Sequence, residues 1–358
     1  MRGVVLRQVG DESLDVVDDL GVVPVGPGHV RVRMRATGVC HSDLSAMTGT
    51  LPAAVPCVLG HEGAGEVVEV GEGVDKLAVG DHVVVAWIPP CGDCAFCLGG
   101  EANLCSTYSG SGFSPRFTVG GEPAFGFAGA GTFAEETVLP AAGAIKVDPD
   151  VPWDVASLLG CAVMTGVGAA INTAPVTPGA SVVVFGCGGI GVAVIQGARI
   201  GGAAEIVAVD PVEQRRQEAL AFGATHAAHP DEVDDLKATI TGGRGFDFAF
   251  EAVGVPTTIR AAYDAARRGG TACIVGAGRS DQTVELNAFE LFYGNKTLVG
   301  TLYGGGDVRK DFDRLIRLWR TGRLDLDAMI TQRLALADVG QALDDMKAGK
   351  VVRSVIEI

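Results

Sequence analysis

The stretch Ser181–Asp210, SVVVFGCGGIGVAVIQGARIGGAAEIVAVD, decides the fold. It opens on a short β-branched run of the kind buried on both faces, passes through Gly186, Cys187, Gly188, Gly189, Ile190 and Gly191, and continues with helical periodicity. A second apolar run, EIVAV, then ends on Asp210. Strand, glycine turn, helix and strand in that order predict a right-handed crossover between parallel strands. Gly186, Gly188 and Gly191 leave bare backbone where a pyrophosphate could approach and rest on a helix N-terminus. Asp210 stands about twenty residues further on, where a carboxylate grips a ribose diol. Without a ligand, the glycines would be an ordinary tight turn and Asp210 a helix cap. Taken together they point to a dinucleotide. Asp210 would repel a 2′-phosphate and neither Pro211 nor Val212 brings positive charge, so NAD is expected rather than NADP.

The texture extends downstream. FDFAFEAVG and TACIVGAG read as buried strands, and VEQRRQEALAFGA and TTIRAAYDAARRG read as helices between them. Upstream, VVLRQV, HVRVRMRATGV, GAGEVVEVG and DHVVVAW are short alternating or β-branched runs broken by Gly and Pro. The tail holds two helical segments, DVRKDFDRLIRLWRTGRL and ADVGQALDDMKAGK, before the strand VVRSVIEI. A chain of 358 residues exceeds what one core usually holds, so two domains are expected: 1–165 with 302–358, and 166–301. The Gly- and Ser-rich segment Ser106–Gly131 is expected to be a long loop.

A formal charge of −15 argues against nucleic acid or an anionic membrane as partner. The apolar stretch around Ser181–Asp210 is broken too often by glycine to span a membrane. MRGVVLRQVG has no apolar export core, so the nine cysteines suggest a reducing cytoplasm, where thiols bind metal or catalyse.

Cys91, Cys94, Cys97 and Cys105 lie close together in CGDCAFCLGGEANLC. Such spacing lets four thiolates converge on one tetrahedral ion, the arrangement of structural zinc. Two disulfides would need an exported chain, and an iron–sulfur cluster of the bacterial ferredoxin type would close on Cys-Pro. Three other segments carry soft ligands: Cys40-His41-Ser42-Asp43, Gly60-His61-Glu62 and Gly160-Cys161. Singly, each reads as a buried cysteine or a hydrogen-bonded histidine.

With CHSD, GHEGAGEVVEVGEGV, the four-cysteine run, LGCAVMTG, VFGCGGIG and GKVVRSV in order, the chain resembles the zinc-dependent medium-chain alcohol dehydrogenases over nearly its full length. The resemblance implies a GroES-like β-rich catalytic domain and a doubly wound Rossmann domain, both α/β in combination. It implies a catalytic zinc on Cys40, His61 and Cys161, with Glu62 able to approach the metal and Asp43 orienting the His61 imidazole. The rival reading for both acids is surface solvation. Ser42 would carry the proton; many relatives end that relay on a histidine, and this chain has Ser45 there. His41, which also enters the catalytic set, and Arg353 would lie over the pyrophosphate; the rival for Arg353 is a surface cation. Arg215 would sit near the adenosine ribose, with Thr165 and Val275 beside the cofactor. Leu51, Trp87, Leu104, Phe127 and Leu302 would line an apolar substrate pocket, though core packing explains each as well.

The segment Tyr108–Thr132 resembles the long forms of the family, commonly dimers, so a homodimer is expected ahead of a tetramer. The implied reaction is hydride transfer between a primary aliphatic or aromatic alcohol and NAD. The glutathione-linked branch fits less well, since its arginine is replaced by Ser109 and its acid by Leu51. A protein with permanently bound NAD is the alternative enzyme, and a non-catalytic crystallin-type binder the alternative class. LGC argues against the polyol branch.

Overall fold

The computed structural model describes residues 1–108 and 110–358; Ser109 lies outside the described residues. The chain forms two compact units, Met1–Cys161 with Asp307–Arg317 and Leu326–Ile358, and Ala162–Gly306 with Leu318–Asp325. These divisions stand beside the sequence-based ones at 165 and 302.

The second unit is built on a six-stranded parallel sheet. Its strands in spatial order are His226–Ala228, Glu205–Val209, Ser181–Phe185, Phe246–Glu251, Ala266–Ile274 and Thr297–Gly300. In chain order this is 3-2-1-4-5-6, the doubly wound order in which the direction of winding reverses between Ser181–Phe185 and Phe246–Glu251. Val182, Val183 and Val184 are fully buried, which is why the strand lacks alternation. The helix Gly189–Ile200 buries Val194, Ile195 and Ala198 among Ile206, Ala208 and Phe250.

The first unit holds two sheets. A seven-stranded one centres on the long pair His29–Gly38 and Glu62–Val70, flanked by His82–Val85 on one side and by Arg353–Glu357 on the other. Alternate residues Val30, Val32 and Met34 face its core, and Arg31, Arg33 and Arg35 pair outside it with Glu69, Glu136 and Glu66. The six-stranded sheet contains a finding against expectation. Ser106–Gly131 is no featureless loop: Pro115–Val119 and Glu122–Gly126 form an antiparallel hairpin. Gly120 and Gly121 both take positive φ, +60° and +85°, so a two-residue turn matches the twist of the strands. Phe117, buried completely, anchors it.

Among the described residues one helical run, Trp153–Thr173, is long and apolar enough to cross a membrane, yet its most apolar 18-residue stretch is 89% buried inside the protein. It serves as a core helix, with π-type turns at Leu159–Val163 and Ala169–Thr173.

Candidate active site

Cys40, His61, Glu62 and Cys161 come from three distant segments of the first unit, and their ligand atoms all lie within 4.8 Å of one another. Cys40 precedes the helix His41–Thr48, His61 precedes the strand Glu62–Val70, and Cys161 occupies the first π-type turn. Such turns re-aim side chains and recur at functional sites. All four residues are buried.

Asp43 assembles two of these ligands. Its Oδ2 accepts from the Cys40 N–H at 3.1 Å, and its Oδ1 accepts from the Gly60 N–H at 2.9 Å. The same Oδ1 lies 3.2 Å from His61 Nδ1. With Nδ1 so engaged, Nε2 is the remaining ring nitrogen; it is buried and has no hydrogen-bond partner among the described residues. A buried, orphaned imidazole nitrogen beside two thiols is the chemistry of a metal ligand, and the set fits zinc. The surface reading of Asp43 and Glu62 is overturned, because both are completely buried.

Glu62 pairs with Arg353, itself 4% exposed, which also overturns the surface reading of that arginine. Gly38 makes room for the pair, since a Cβ there would collide with the Glu62 carboxylate and come within 3.0 Å of Arg353 Nη2. Burial pushes the Glu62 carboxyl up to about 7 against the pull of Arg353. The hydrogen bond with Cys161 holds the Cys40 thiol well below its usual range and raises Cys161. Burial opposes protonation of His61, but Asp43 and Cys40 together turn the balance upward.

Phe127 stands edge-on to the His61 ring at 5.3 Å, and Trp87 at 6.4 Å. Leu51 packs with Phe127 in one apolar cluster. Ser42 is half-buried, with Oγ 3.7 Å from Cys40 Sγ, while His41 is exposed. Ser45 lies in the same short helix. Leu104 is 37% exposed on the four-cysteine lobe, and Leu302, in the second unit, is 46% exposed.

The lobe brings Cys91, Cys94, Cys97 and Cys105 within 4.8 Å of one another. Cys91 and Cys97 Sγ are 3.8 Å apart, and Cys94 and Cys105 Sγ 4.0 Å. A tetrahedral zinc with bonds of about 2.3 Å needs sulfurs ~3.8 Å apart, so the four residues fit one ion. Backbone hydrogen bonds from Cys97 and Ser106 bring the Cys94 thiol down to about 5.

In the second unit, Gly188 caps the helix Gly189–Ile200, with Gly186 and Gly191 packed together at its start. Asp210 is 3% exposed and accepts from the N–H groups of Cys187 and Val212, each at 2.9 Å. Arg215 Nη1 lies 3.9 Å from Asp210 Oδ2. Ile190 is half-buried, Val275 buried, and Thr165 buried with Oγ1 unpartnered among the described residues.

Residues 26–149 match the family described as the alcohol dehydrogenase GroES-like domain, and residues 189–320 match the zinc-binding dehydrogenase family. An S-(hydroxymethyl)glutathione dehydrogenase of Escherichia coli is 39% identical, with 96% of each chain covered. The chain belongs to the zinc-dependent medium-chain alcohol dehydrogenases. The dehydrogenase interconverts alcohols and aldehydes with zinc and NAD as cofactors. Among solved structures it is similar to benzyl alcohol dehydrogenase of Acinetobacter calcoaceticus (TM-score 0.91, 32% identity, 100% and 99% covered). A zinc-binding-domain alcohol dehydrogenase of Burkholderia ambifaria gives 0.93 at 34% identity, with 100% and 98% covered.

Two residues of the dehydrogenase escaped the sequence reading. Arg216, not only Arg215, reaches Asp210, donating from Nη1 to its carbonyl at 2.7 Å. Glu251 ends a Rossmann strand completely buried, and its place in FDFAFE was the available signal.

Proposed function

We propose that the dehydrogenase oxidises primary alcohols with an apolar or aromatic group, and reduces the matching aldehydes, using exchangeable NAD. The observation that carries this is the pair of aromatic edges, Phe127 at 5.3 Å and Trp87 at 6.4 Å, against the ring of His61. Aromatic walls beside a reaction centre favour hydrocarbon and exclude water.

Cys40, His61 and Cys161 would hold the zinc, with Glu62 near it. When bound, zinc acts as a Lewis acid on the alcohol oxygen and NAD accepts the hydride. Asp43 fixes the direction of the His61 ring through Nδ1. Arg353 keeps the Glu62 carboxylate engaged. Ser42 holds and passes the substrate proton through a hydroxyl that both donates and accepts, and water completes the path where relatives have a histidine in place of Ser45. Asp210, nearly buried and flanked by Arg215, takes the adenosine ribose and disfavours a 2′-phosphate.

A glutathione adduct is the second reading, favoured by the name of the Escherichia coli relative. We further propose a cytoplasmic homodimer. Its support is the terminal strand Thr297–Gly300 with Phe289, Phe292, Tyr293 and Leu298 at 66, 80, 54 and 40% exposure.

The test is a panel of alcohols and aldehydes assayed with added NAD, with an artificial acceptor, and with formaldehyde plus glutathione. Benzyl-type alcohols should give the highest kcat/KM with added NAD. A strict requirement for glutathione, or turnover only with the artificial acceptor, would overturn the reading.

A further inference from the structure

The four-cysteine lobe has no cation of its own. Four thiolates leave a zinc ion with two negative charges in excess, and Asp93 and Glu101 lie in the same loop. No Lys or Arg occurs between Cys91 and Tyr108. Hydrogen bonds spread part of that charge. Cys91 Sγ accepts from the N–H groups of Cys94 at 3.2 Å and Asp93 at 3.4 Å, and from Thr107 Oγ1 at 3.1 Å. Cys105 Sγ accepts from the Cys91 N–H at 3.4 Å. These donors are neutral, so the excess charge remains.

A cation reaches the lobe from a segment far along the chain. Arg309 lies in the first turn of the helix Val308–Arg320, in the same unit as the lobe. Asp307 grips it as a fork: Arg309 Nε donates to Oδ1 and Nη2 to Oδ2, both at 2.8 Å. The Arg309 backbone N–H also donates to Oδ1, at 3.1 Å. The third nitrogen, Nη1, is left on the side of the lobe, where a Cβ built on Gly92 would lie 3.3 Å from it. Gly92 follows Cys91, takes φ +83°, and donates its N–H to the Cys97 sulfur. Asp307 is chief among the groups that hold the proton on Arg309, and the sulfurs of Cys97 and Cys91 add to its pull.

We infer that Arg309 is a positioning residue and counter-charge for the metal-loaded lobe, docking it onto the start of the helix Val308–Arg320. Asp307 offsets part of the charge and fixes its direction. The inference rests on the reading of the four cysteines as a zinc site. The Arg309 side chain is 43% exposed, so solvent and salt screen the attraction. Its worth is that of a surface pair, a several-fold effect on how fast the metal leaves. A charge that acts on one ion alone is separable from a general loosening of the fold, which would act on both.

The experiment follows zinc leaving the zinc-loaded, full-length protein at low salt into a chromogenic chelator, pyridylazoresorcinol. Cys94→Ser, which lacks a ligand of the lobe, identifies the phase that belongs to the lobe's ion. Arg309→Met should speed this phase about threefold to fivefold and leave the other ion's phase within about 1.5-fold. Arg309→Lys keeps the charge and loses the fork, so its rate should fall between wild type and Arg309→Met. At about 1 M salt the effect of Arg309→Met should shrink to within about 1.5-fold. Equal acceleration of both phases, an unchanged lobe phase, no recovery in Arg309→Lys, or an effect undiminished by salt would overturn the inference. A wild-type protein from which Cys94→Ser removes no zinc would overturn the reading of the lobe itself.

Discussion

Asp43 Oδ1 lies 3.2 Å from Nδ1 of His61, and the other oxygen of that carboxylate accepts from the backbone of Cys40 at 3.1 Å. One buried acid thus places two ligands that are far apart in the chain. Replacing it by Asn keeps the shape but weakens its grip on both. Asp43→Asn should lower zinc affinity or turnover about 10- to 100-fold. Zinc content after timed exposure to a chelator, set against turnover, measures this; zinc retained at wild-type rates with full activity would refute it.

Glu62 and Arg353 form a pair with almost no exposure to solvent, 0% and 4% for the two side chains. Removing the cation leaves a buried carboxylate without that counter-charge. Arg353→Met should cost about 3–5 kcal/mol of stability. Adding Glu62→Gln to it should recover most of that loss, because a neutral amide needs no counter-charge. Denaturant unfolding of the single and double variants would reveal whether the two losses simply add.

The four-cysteine lobe offers no open position, so its metal serves shape. Cys94→Ser should lower zinc from about two ions per chain to one and reduce thermal stability. Elemental analysis and calorimetry check both. Unchanged zinc content and melting temperature would refute the assignment.

Asp345 provides a pH test remote from the metal. Hydrogen bonds from Gln332 at 3.0 Å and Lys350 at 3.0 Å hold its carboxyl down to about 2. The unfolded chain binds this proton at a pKa of about 3.9, so the group stabilises the fold above that pH and loses its contribution as pH falls toward 2. Asp345→Asn should destabilise the protein near neutrality and flatten the decline of melting temperature between about pH 5 and 3. An acid limb as steep as that of the wild type would count against this.

What the sequence disclosed follows from the range of the interactions. The run Ser181–Asp210 could be read because strand, turn and helix leave local periods, and Val182–Val184 are buried as a continuous apolar run demands. The four cysteines of the lobe could be read because one loop holds them all. Nothing local brings Cys40, His61 and Cys161 together; only the order of motifs along the chain suggested it. The pairing of Arg353 with Glu62 was invisible, since strand pairing between Arg353–Glu357 and His29–Gly38 creates it. The hairpin Pro115–Gly126 was masked by its glycines, although Gly120-Gly121 between two short apolar runs is itself a turn signal.

Glu62 and Arg353 are 291 positions apart. A chain made from its N-terminus has produced Glu62, Cys40, His61 and Cys161 long before the ribosome reaches Arg353. Until then the acid lacks its Arg353 counter-charge, and His29–Gly38 lacks its neighbour Arg353–Glu357. The first unit is thus begun early in synthesis and finished last, with the entire Rossmann unit translated in between. Its final strand acts as a clasp, closing the sheet and bringing the cation that the buried Glu62 needs.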